Sequence, residues 1–264
     1  MSWRGTLITQ ACTSYRHKNP DVLLLNSTGS TDNKKIKIPG YRVYQANPQG
    51  ERASGSAIAI KGDLKHKLRP TTAEEMMMIE INLDLDTIIV ATHYCPPRRD
   101  NAELLEVLTK LASFRQPVYF FGDLNAAHRD FGHRRSNARG RMLTQAISQG
   151  LVTHRGPHFH TWCSGPNRST PDVALTNQAA FHNMTITKGD MGTTSDHIPM
   201  EIHLSARPIR IPIKERYAPS KANWDEYRKI CEEYVPATSI KEMGKISTEK
   251  LQDSRGIFKT PKRL

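Results

Sequence analysis

The sequence predicts an α/β sandwich in which two sheets pack face to face and helices cover their outer faces. Two observations lead to this class: many short apolar runs have the length of strands, and few segments have helical periodicity. Gly, Pro, Asn or Asp separates most of the runs, as is typical of strands joined by turns. At 264 residues and 37% hydrophobic content, the chain is expected to hold one real core and some poorly packed sequence.

The strand candidates are distributed along most of this core. DVLLLN, residues 21–26, is almost continuously apolar, which favours a strand that is buried on both faces. Further runs of strand character begin, in chain order, at Tyr41, Ser56, Met76, Thr87, Val118, Asp172, Met184 and Ile198.

Two helices are predicted between the strands. Asn101 can cap the first, in which one face is apolar and consists of Leu104, Leu105, Leu108 and Leu111. The second runs from about Arg141 to Gln149 and ends at Gly150, since glycine favours helix termination.

The character of the chain changes after Leu204, where prolines and charges replace apolar runs. We therefore expect one α/β domain over residues 1–205 and a basic linker over residues 206–264. The linker contains one short helix from Asn223 to Tyr234, in which Glu226 completes a capping box. A disordered tail is expected from Pro236 onward.

The net charge of +12 and the pI of about 9.6 favour an anionic partner. Because no apolar run approaches the ~20 residues that span a bilayer, we expect nucleic acid rather than a membrane. The four cysteines are widely spaced and form no CxxC pair, which is typical of a reducing compartment.

The sharpest local motif is Gly122-Asp123-Leu124-Asn125-Ala126, directly after the apolar run VYFF. A strand that ends in Asp-x-Asn projects a carboxylate and an amide to the same side. Such groups suit metal-assisted hydrolysis, in which an acceptor orients water and a donor steadies a phosphoryl oxygen. An ordinary Asx turn at a strand end is the alternative interpretation.

Three further features stand at strand termini: Asp196-His197, Tyr94 and Asp172. An aspartate beside a histidine can orient the imidazole, and a tyrosine hydroxyl can reach a phosphate. Each has a structural alternative, namely a polar turn, core packing or turn punctuation. Their order along the chain, together with Asp123-x-Asn125, is what makes them informative.

This order resembles the endonuclease/exonuclease/phosphatase superfamily, and within it the endonuclease domains of LINE-type (non-LTR) retrotransposons of the jockey and I-element group. GDLNA, SDHIP and YCPP carry the likeness, with additional agreement at Asn137-x-Arg139-Gly140 and Thr161. The likeness extends over roughly residues 21–204. It implies a four-layer, DNase I-like α/β sandwich, Mg²⁺ or Mn²⁺ as cofactor, and attack of water on a phosphodiester of DNA.

The resemblance also implies roles for individual residues. Asp123 and Asn125 position the attacking water and the transition state, and Asp196 orients His197. The imidazole of His197 acts as a base or stabilises the phosphoryl group. Tyr94 binds phosphate, and Asp172 supports the hydrogen bonds of the site.

The chain departs from this family at two places. Most relatives end their first long strand in a glutamate that is the main metal ligand, whereas this chain has Ser27 there, preceded by Asn26. A hydroxyl is a far poorer Mg²⁺ ligand than a carboxylate. The family's first strand carries an asparagine, and we expect that strand to be missing from this chain, which begins at MSW. We therefore expect the metal to be held by Asp196, with Ser27 and Asn26 as weak ligands, and we expect weak activity.

Two other clusters have several interpretations. Arginine binds phosphate oxygens in a bidentate manner, so the basic residues near the motifs are candidate DNA contacts, although a solvated basic loop is equally consistent with them. These residues are Arg98, Arg99, Arg134, Arg135, Arg139 and Arg141. A zinc site or a polar strand edge are the alternatives for His154, His158, His160 and Cys163.

Three functional hypotheses remain open at the level of the sequence. The first is a DNA-nicking domain of a retrotransposon polyprotein, acting in the nucleus beside a reverse transcriptase. The second is a phosphatase of the same fold that acts on phospholipid or inositol headgroups, since fold does not determine substrate. The third is a catalytically silent nucleic-acid-binding remnant.

Overall fold

The computed structural model describes residues 19–29, 35–46, 55–71, 73, 75–97, 101–190, 195–212 and 223–234. The strands are β1 (Val22–Asn26), β2 (Tyr41–Ala46), β3 (Ser56–Lys61), β4 (His66–Arg69), β5 (Met76–Asn82), β6 (Thr87–His93), β7 (Val118–Asp123), β8 (Thr153–Gly156), β9 (Trp162–Ser164), β10 (Asn167–Ser169), β11 (Asp172–Thr176), β12 (Met184–Lys188) and β13 (Met200–Leu204). The helices are α1 (Ala102–Ser113), α2 (Ala138–Ser148) and α3 (Trp224–Tyr234). The chain divides into two compact units, Met1–Ile211 and Pro212–Leu264.

One large sheet forms the centre of the first unit. Its six strands follow the order β4-β5-β6-β7-β11-β8. β6 and β7 are parallel and are connected through α1, whereas the other neighbours in this sheet are antiparallel. A three-stranded sheet, β1-β3-β2, and the pair β12-β13 belong to the second layer.

Side-chain alternation along the strands explains why two layers can pack on the large sheet. Met76 and Met78 of β5 belong to a core cluster with the apolar residues of α1 and α2. Met77 and Ile79 belong to a second cluster with β3 and with residues of β1, β12 and β13. Both faces of the large sheet are therefore buried, and the predicted α/β sandwich is confirmed.

The structure contains all the predicted core strands and four short ones that the sequence did not indicate. These additional strands are β4, β8, β9 and β10, of three or four residues each. They are too short and too polar to produce a periodic pattern. Their pairing depends on neighbours that are distant in sequence.

The first residues of α1 and α2 are fixed by different contacts. α2 begins at Ala138 rather than Arg141, because Asn137 caps the helix: its side chain accepts a hydrogen bond from the Gly140 amide. α1 begins after Asn101 as predicted, but the Asn101 side chain makes no capping hydrogen bond. Its oxygen accepts a hydrogen bond from Nε of Arg139 instead, at 3.1 Å.

In the second unit, Asn223 caps α3 as predicted, and the contact of Glu226 is with the side-chain amide of Asn223 and not with the backbone amide that a capping box uses. The Asn223 oxygen accepts from the Glu226 amide at 3.2 Å, and its amide donates to Oε2 of Glu226 at 3.0 Å. Among the helices described here, none is both long and apolar enough to cross a membrane. The tail predicted to be disordered lies outside the described residues.

A cleft of about 850 Å³ leads from the second layer to the rim of the large sheet. Residues of β1 and β13 both line it, together with Asp123 and His197. Within the described residues, β1 pairs with β3 and β13 pairs with β12, so each strand is paired on one side. The predicted absence of a first strand stays a prediction.

Candidate active site

Strand register brings the chemical residues to one rim of the large sheet. Because β6 and β7 are parallel, both end at this rim, and Tyr94 forms an isolated bridge with Asp123. β11 runs in the opposite direction, and its first residue, Asp172, is directly paired with Asp123. Residues that are far apart in sequence therefore become neighbours.

His197 completes a group of three with the two aspartates. It reaches the rim through a bridge to Trp162 in β9. Its Nδ1 lies 3.0 Å from Oδ2 of Asp172, and its Nε2 lies 4.0 Å from Oδ2 of Asp123. An oxygen atom of water or phosphate can lie within hydrogen-bonding distance of both Nε2 and Asp123.

The pKa values of Asp123 and His197 are both raised. Asp123 is only 5% exposed, and burial together with the neighbouring Asp172 carboxylate raises its pKa to about 7. Burial alone lowers the pKa of His197, but the hydrogen bond and the charge of Asp172, with Asp123 and Asp196, raise it to about 9. Near neutral pH the imidazole is thus positively charged, and Asp123 can exchange a proton.

The partner of the imidazole differs from the one that the resemblance implied. Asp196 was expected to orient His197, but Asp172 makes this contact. The Asp196 side chain is exposed, and its Oδ2 accepts a hydrogen bond from the Trp162 indole at 2.8 Å. Its charge still raises the pKa of His197. The sequence offered no signal for Trp162, which lies in a short polar hairpin.

Thr161 connects the elements that carry these residues. Its side chain is fully buried, and its hydroxyl accepts a hydrogen bond from the Asp172 amide at 3.4 Å. Its carbonyl accepts from the Ile198 amide at 2.6 Å. The residue therefore holds the start of β11 and the segment of His197 in register.

Asn125 is held at the end of β7 in a left-handed conformation, with φ of 49°. Its amide N–H donates to Oδ1 of Asp123 at 3.1 Å, which forms an Asx turn. Its side-chain amide donates to the Cys95 carbonyl at 3.2 Å. Asp123 and Asn125 thus occupy the predicted rim, and Asn125 also connects the loops that follow β6 and β7.

Ser27 and Asn26 line the same cleft as Asp123, Asp172 and His197. Ser27 is exposed, with φ of 52°. The Asn26 oxygen accepts hydrogen bonds from Thr92 Oγ1 at 2.9 Å and from Ser56 Oγ at 3.2 Å. Because this oxygen already accepts two hydrogen bonds from hydroxyl groups, it is a poor candidate for a metal ligand.

The donor chemistry of the rim is compatible with a divalent cation. Among the described residues, ligand atoms of Asp123, Asp172 and His197 lie within 4.8 Å of one another. Asp196 adds an exposed carboxylate to the wall of the cleft, where the hydroxyl of Ser27 also lies. The carboxylate oxygens of Asp123, Asp172 and Asp196 fit the preference of Mg²⁺ and Mn²⁺ for hard ligands, whereas a protonated His197 cannot bind a metal.

The basic candidates separate into different environments. Arg134, Arg135 and Arg141 are exposed, as a DNA contact requires. Arg139 is only 3% exposed, and its guanidinium donates to backbone carbonyls inside the protein. The prediction of a DNA contact is therefore wrong for Arg139, because it shares a helix with Arg141 but lies on the buried face. Arg98 and Arg99 lie outside the described residues.

The histidine and cysteine cluster does not form a metal site within the described part of the chain, where the group at the rim is the one with suitable geometry. His160 contacts the Thr170 hydroxyl at 3.4 Å, and the rings of His154 and Phe131 are in tilted contact with centroids 4.8 Å apart. Burial, with the charge of His158, lowers the pKa of His154. These contacts support the polar-edge interpretation.

Comparison with known proteins agrees with this geometry. Residues 88–201 match the family described as endonuclease-reverse transcriptase. The chain is 28% identical over 203 residues to the RNA-directed DNA polymerase of the mobile element jockey from Drosophila melanogaster, which corresponds to 74% of this chain and 22% of that protein. It is 28% identical over 270 residues to the probable RNA-directed DNA polymerase of the X-element from the same fly, over 96% of this chain and 28% of that protein. The chain thus spans about a quarter of the length of these relatives.

Solved structures show the same fold. The endonuclease domain of TRAS1, a telomere-specific non-LTR retrotransposon, superposes with a TM-score of 0.63 at 20% identity, over 80% of this chain and 95% of that one. The catalytic domain of Xenopus laevis APE2 superposes with a TM-score of 0.59 at 17% identity, over 80% of this chain and 91% of that one. These likenesses establish the DNase I-like architecture.

Proposed function

We propose that the chain is an endonuclease domain of the non-LTR retrotransposon type, in the endonuclease/exonuclease/phosphatase superfamily, and that it is a divalent-metal-dependent phosphodiesterase that nicks DNA. The observation that carries the proposal is the convergence of Asp123, Asp172 and His197 at one rim. This arrangement provides a proton acceptor and a fixed positive charge beside the same cleft.

Each residue of this group has a distinct task in the proposed reaction. Asp123 orients a water molecule and accepts its proton as the water oxygen bonds to phosphorus, since its pKa of about 7 allows proton exchange near neutral pH. The P–O bond to one sugar oxygen breaks in the same reaction, and that leaving oxygen takes a proton from solvent. His197 stabilises the charge that develops on a phosphoryl oxygen. Asp172 holds the imidazole through Nδ1, so that Nε2 faces the reacting group.

The residues that bind the phosphodiester surround this group. Tyr94 lies beside Asp123 and would donate a hydrogen bond to a phosphate oxygen. The Asn125 segment fixes Asp123 through the amide contact at 3.1 Å. When bound, Mg²⁺ or Mn²⁺ neutralises negative charge on the phosphoryl group, and Asp196 with the Ser27 hydroxyl would hold it. Because Asp123 is assigned to the attacking water and Asp172 to His197, Asp196 is the one carboxylate left for the metal, so we expect weak metal binding and weak activity.

DNA is the proposed substrate because the exposed basic residues Arg134, Arg135 and Arg141 belong to the segment that follows the Asp123 loop. The net charge of +12 points in the same direction. Because the relatives are RNA-directed DNA polymerases, we further propose that the domain acts beside a reverse transcriptase and in the nucleus.

A supercoiled-plasmid nicking assay tests the proposal, with Mg²⁺ or Mn²⁺ against EDTA. Asp123→Asn and His197→Ala should abolish the metal-dependent product. Asp84→Asn is the matched control, because Asp84 lies in the turn before β6, at the end of the strand remote from Tyr94. Equal nicking by wild type and by Asp123→Asn would refute the assignment.

The presence of Ser27 in place of a glutamate supports the alternative that the chain is a catalytically silent nucleic-acid-binding remnant. The same protein samples test this alternative. A filter-binding assay with duplex DNA measures affinity independently of cleavage. Tight, salt-sensitive binding without nicking at any Mg²⁺ or Mn²⁺ concentration would establish a binding module. Release of phosphate from an inositol phosphate, without nicking, would instead indicate the phosphatase alternative.

A further inference from the structure

Arg139 is a buried guanidinium that the proposed reaction does not use directly. It lies on α2, where Arg141 is exposed, but it is only 3% exposed itself. Burying a guanidinium is unfavourable unless its donors find good partners. Its hydrogen bonds therefore indicate what its burial stabilises.

These bonds join the loops that carry the chemical residues. Nη1 of Arg139 donates to the Cys95 carbonyl at 3.0 Å, and Nη2 donates to the Pro96 carbonyl at 2.6 Å. Both acceptors follow Tyr94 directly. Nη1 also lies 3.5 Å from the Leu124 carbonyl, between Asp123 and Asn125. The planar, multidentate guanidinium thus spans the ends of β6 and β7.

A third element is tied to the same side chain. Nε of Arg139 donates to Oδ1 of Asn101 at 3.1 Å, at the residue that precedes α1. α1 is the crossover between β6 and β7. One side chain therefore bonds to both strand ends at the rim and to the start of the helix that connects these strands.

Asn137 extends this arrangement to Asn125. Its side-chain amide donates to the Asn125 carbonyl at 2.8 Å, and its oxygen accepts from the Ala127 amide at 3.1 Å. The same oxygen caps α2 at the Gly140 amide, at 2.7 Å. Gly140 permits the close approach, because a Cβ there would lie 1.8 Å from the Ala127 carbonyl oxygen.

We propose that Arg139, supported by Asn137 and Gly140, is a positioning residue that sets the spacing between Tyr94 and the Asp123–Asn125 segment. The inference rests on the proposed function, and it assigns to the Asn137-x-Arg139-Gly140 motif a role other than DNA contact. The guanidinium also favours the ionised form of Asp123, since its charge opposes the upward shift of that pKa.

Arg139→Lys tests this role with the charge retained. A lysine has one nitrogen and cannot reach the carbonyls of Cys95, Pro96 and Leu124 together with Asn101. In plasmid nicking with Mg²⁺ we expect kcat to fall about 100-fold, because small misplacements of reacting groups have effects of this order. KM and the salt dependence of DNA binding should stay at wild-type values.

Arg141→Ala provides the opposite pattern from the same helix. Removing an exposed phosphate contact should raise KM and reduce the log–log salt slope of binding by about one unit. Arg115→Ala, on the exposed loop after α1, controls for loss of net charge. If Arg139→Lys behaves like Arg141→Ala, Arg139 is a DNA contact and the inference is overturned.

Amide hydrogen exchange separates this inference from the proposed function. In metal-free Arg139→Lys, the Cys95 and Asn125 amides, which donate to Asp123, should exchange at least about tenfold faster, while β5 amides are unchanged. Uniform acceleration across the large sheet would indicate loss of global stability and would overturn the inference. If the wild-type chain nicks no DNA, the proposed function fails, and the local exchange pattern still decides whether Arg139 positions the loops.

Discussion

The close packing of α2 against the loop after β7 makes Gly140→Ala a sensitive perturbation. An added Cβ would lie 1.8 Å from the Ala127 carbonyl oxygen and 2.4 Å from its carbon. Because carbon–oxygen contacts settle near ~3.3–3.6 Å, helix and loop must separate by roughly 1.5 Å. That movement would break the hydrogen bonds from Asn137 to Asn125 and Ala127.

The expected loss of stability follows from opposing contributions. Alanine is favoured over glycine in a helix by about 1 kcal/mol, which offsets part of the damage. The disrupted Asn137 hydrogen bonds contribute about 1 kcal/mol each, and overpacking contributes about 1–3 kcal/mol. We expect a net destabilisation of at least about 2 kcal/mol, which lowers Tm by about 4–8 °C in a domain of this size.

Thermal unfolding of the purified chain measures this effect, and plasmid nicking measures its consequence for kcat. Gly132→Ala is the matched control, because Gly132 has φ of +82° and nothing within 4 Å of an added Cβ. It should lose about 1–2 kcal/mol through backbone strain alone and retain more of kcat. A Gly140→Ala chain that melts at or above the wild-type Tm, with unchanged kcat, would refute the reasoning.

Three further outcomes are expected. Ser27→Glu should lower the Mg²⁺ concentration for half-maximal nicking by at least about tenfold relative to Ser27→Gln, because a carboxylate is the stronger ligand; equal responses would place the metal elsewhere. In the metal-free protein, NMR titration should give His197 a pKa of about 9, and Asp172→Asn should lower the pKa of His197. The raised pKa contributes stability that is fully present below ~6.5 and is lost as pH rises through about 9; a wild-type pH profile identical to that of Asp172→Asn would contradict this. Duplex DNA binding should show a log–log salt slope of about −4 to −5, reduced by about two units in the Arg134→Ala, Arg135→Ala double variant; a slope near zero would exclude a phosphate-backbone interface.

Local patterns in the sequence were sufficient for the main elements of the fold. Apolar runs identified the strands from DVLLLN to MEIHL, and the periodicity of the leucines identified α1. The expectation that DVLLLN is buried on both faces was wrong, because β1 pairs on one side, lines the cleft and is only partly buried. These patterns predict strands and helices without tertiary information, because they reflect which side chains each element must bury. The strands β4, β8, β9 and β10 could not be predicted in this way, since their pairing stabilises sequences with no periodic pattern of their own.

The residue types at the strand ends, and their order, predicted which side chains would carry the chemistry. Asp123, Asp172 and His197 are far apart in sequence, yet Asp123 ends β7, Asp172 begins β11 and His197 lies shortly before β13. Their order was enough to indicate the superfamily, and the family match and the solved structure of the TRAS1 endonuclease domain agree with that indication. The departure at Ser27 was also visible from the sequence, because it concerns the residue itself and not its contacts.

Only the tertiary structure decided which of these side chains contact one another. It paired His197 with Asp172 rather than with adjacent Asp196, because a residue and its successor point in different directions along an extended segment. It buried Arg139 and exposed Arg141, although in the sequence both are basic residues of one predicted helix region. Sequence determines the chemistry that is available, whereas the direction of each side chain depends on packing between elements that are distant in the chain.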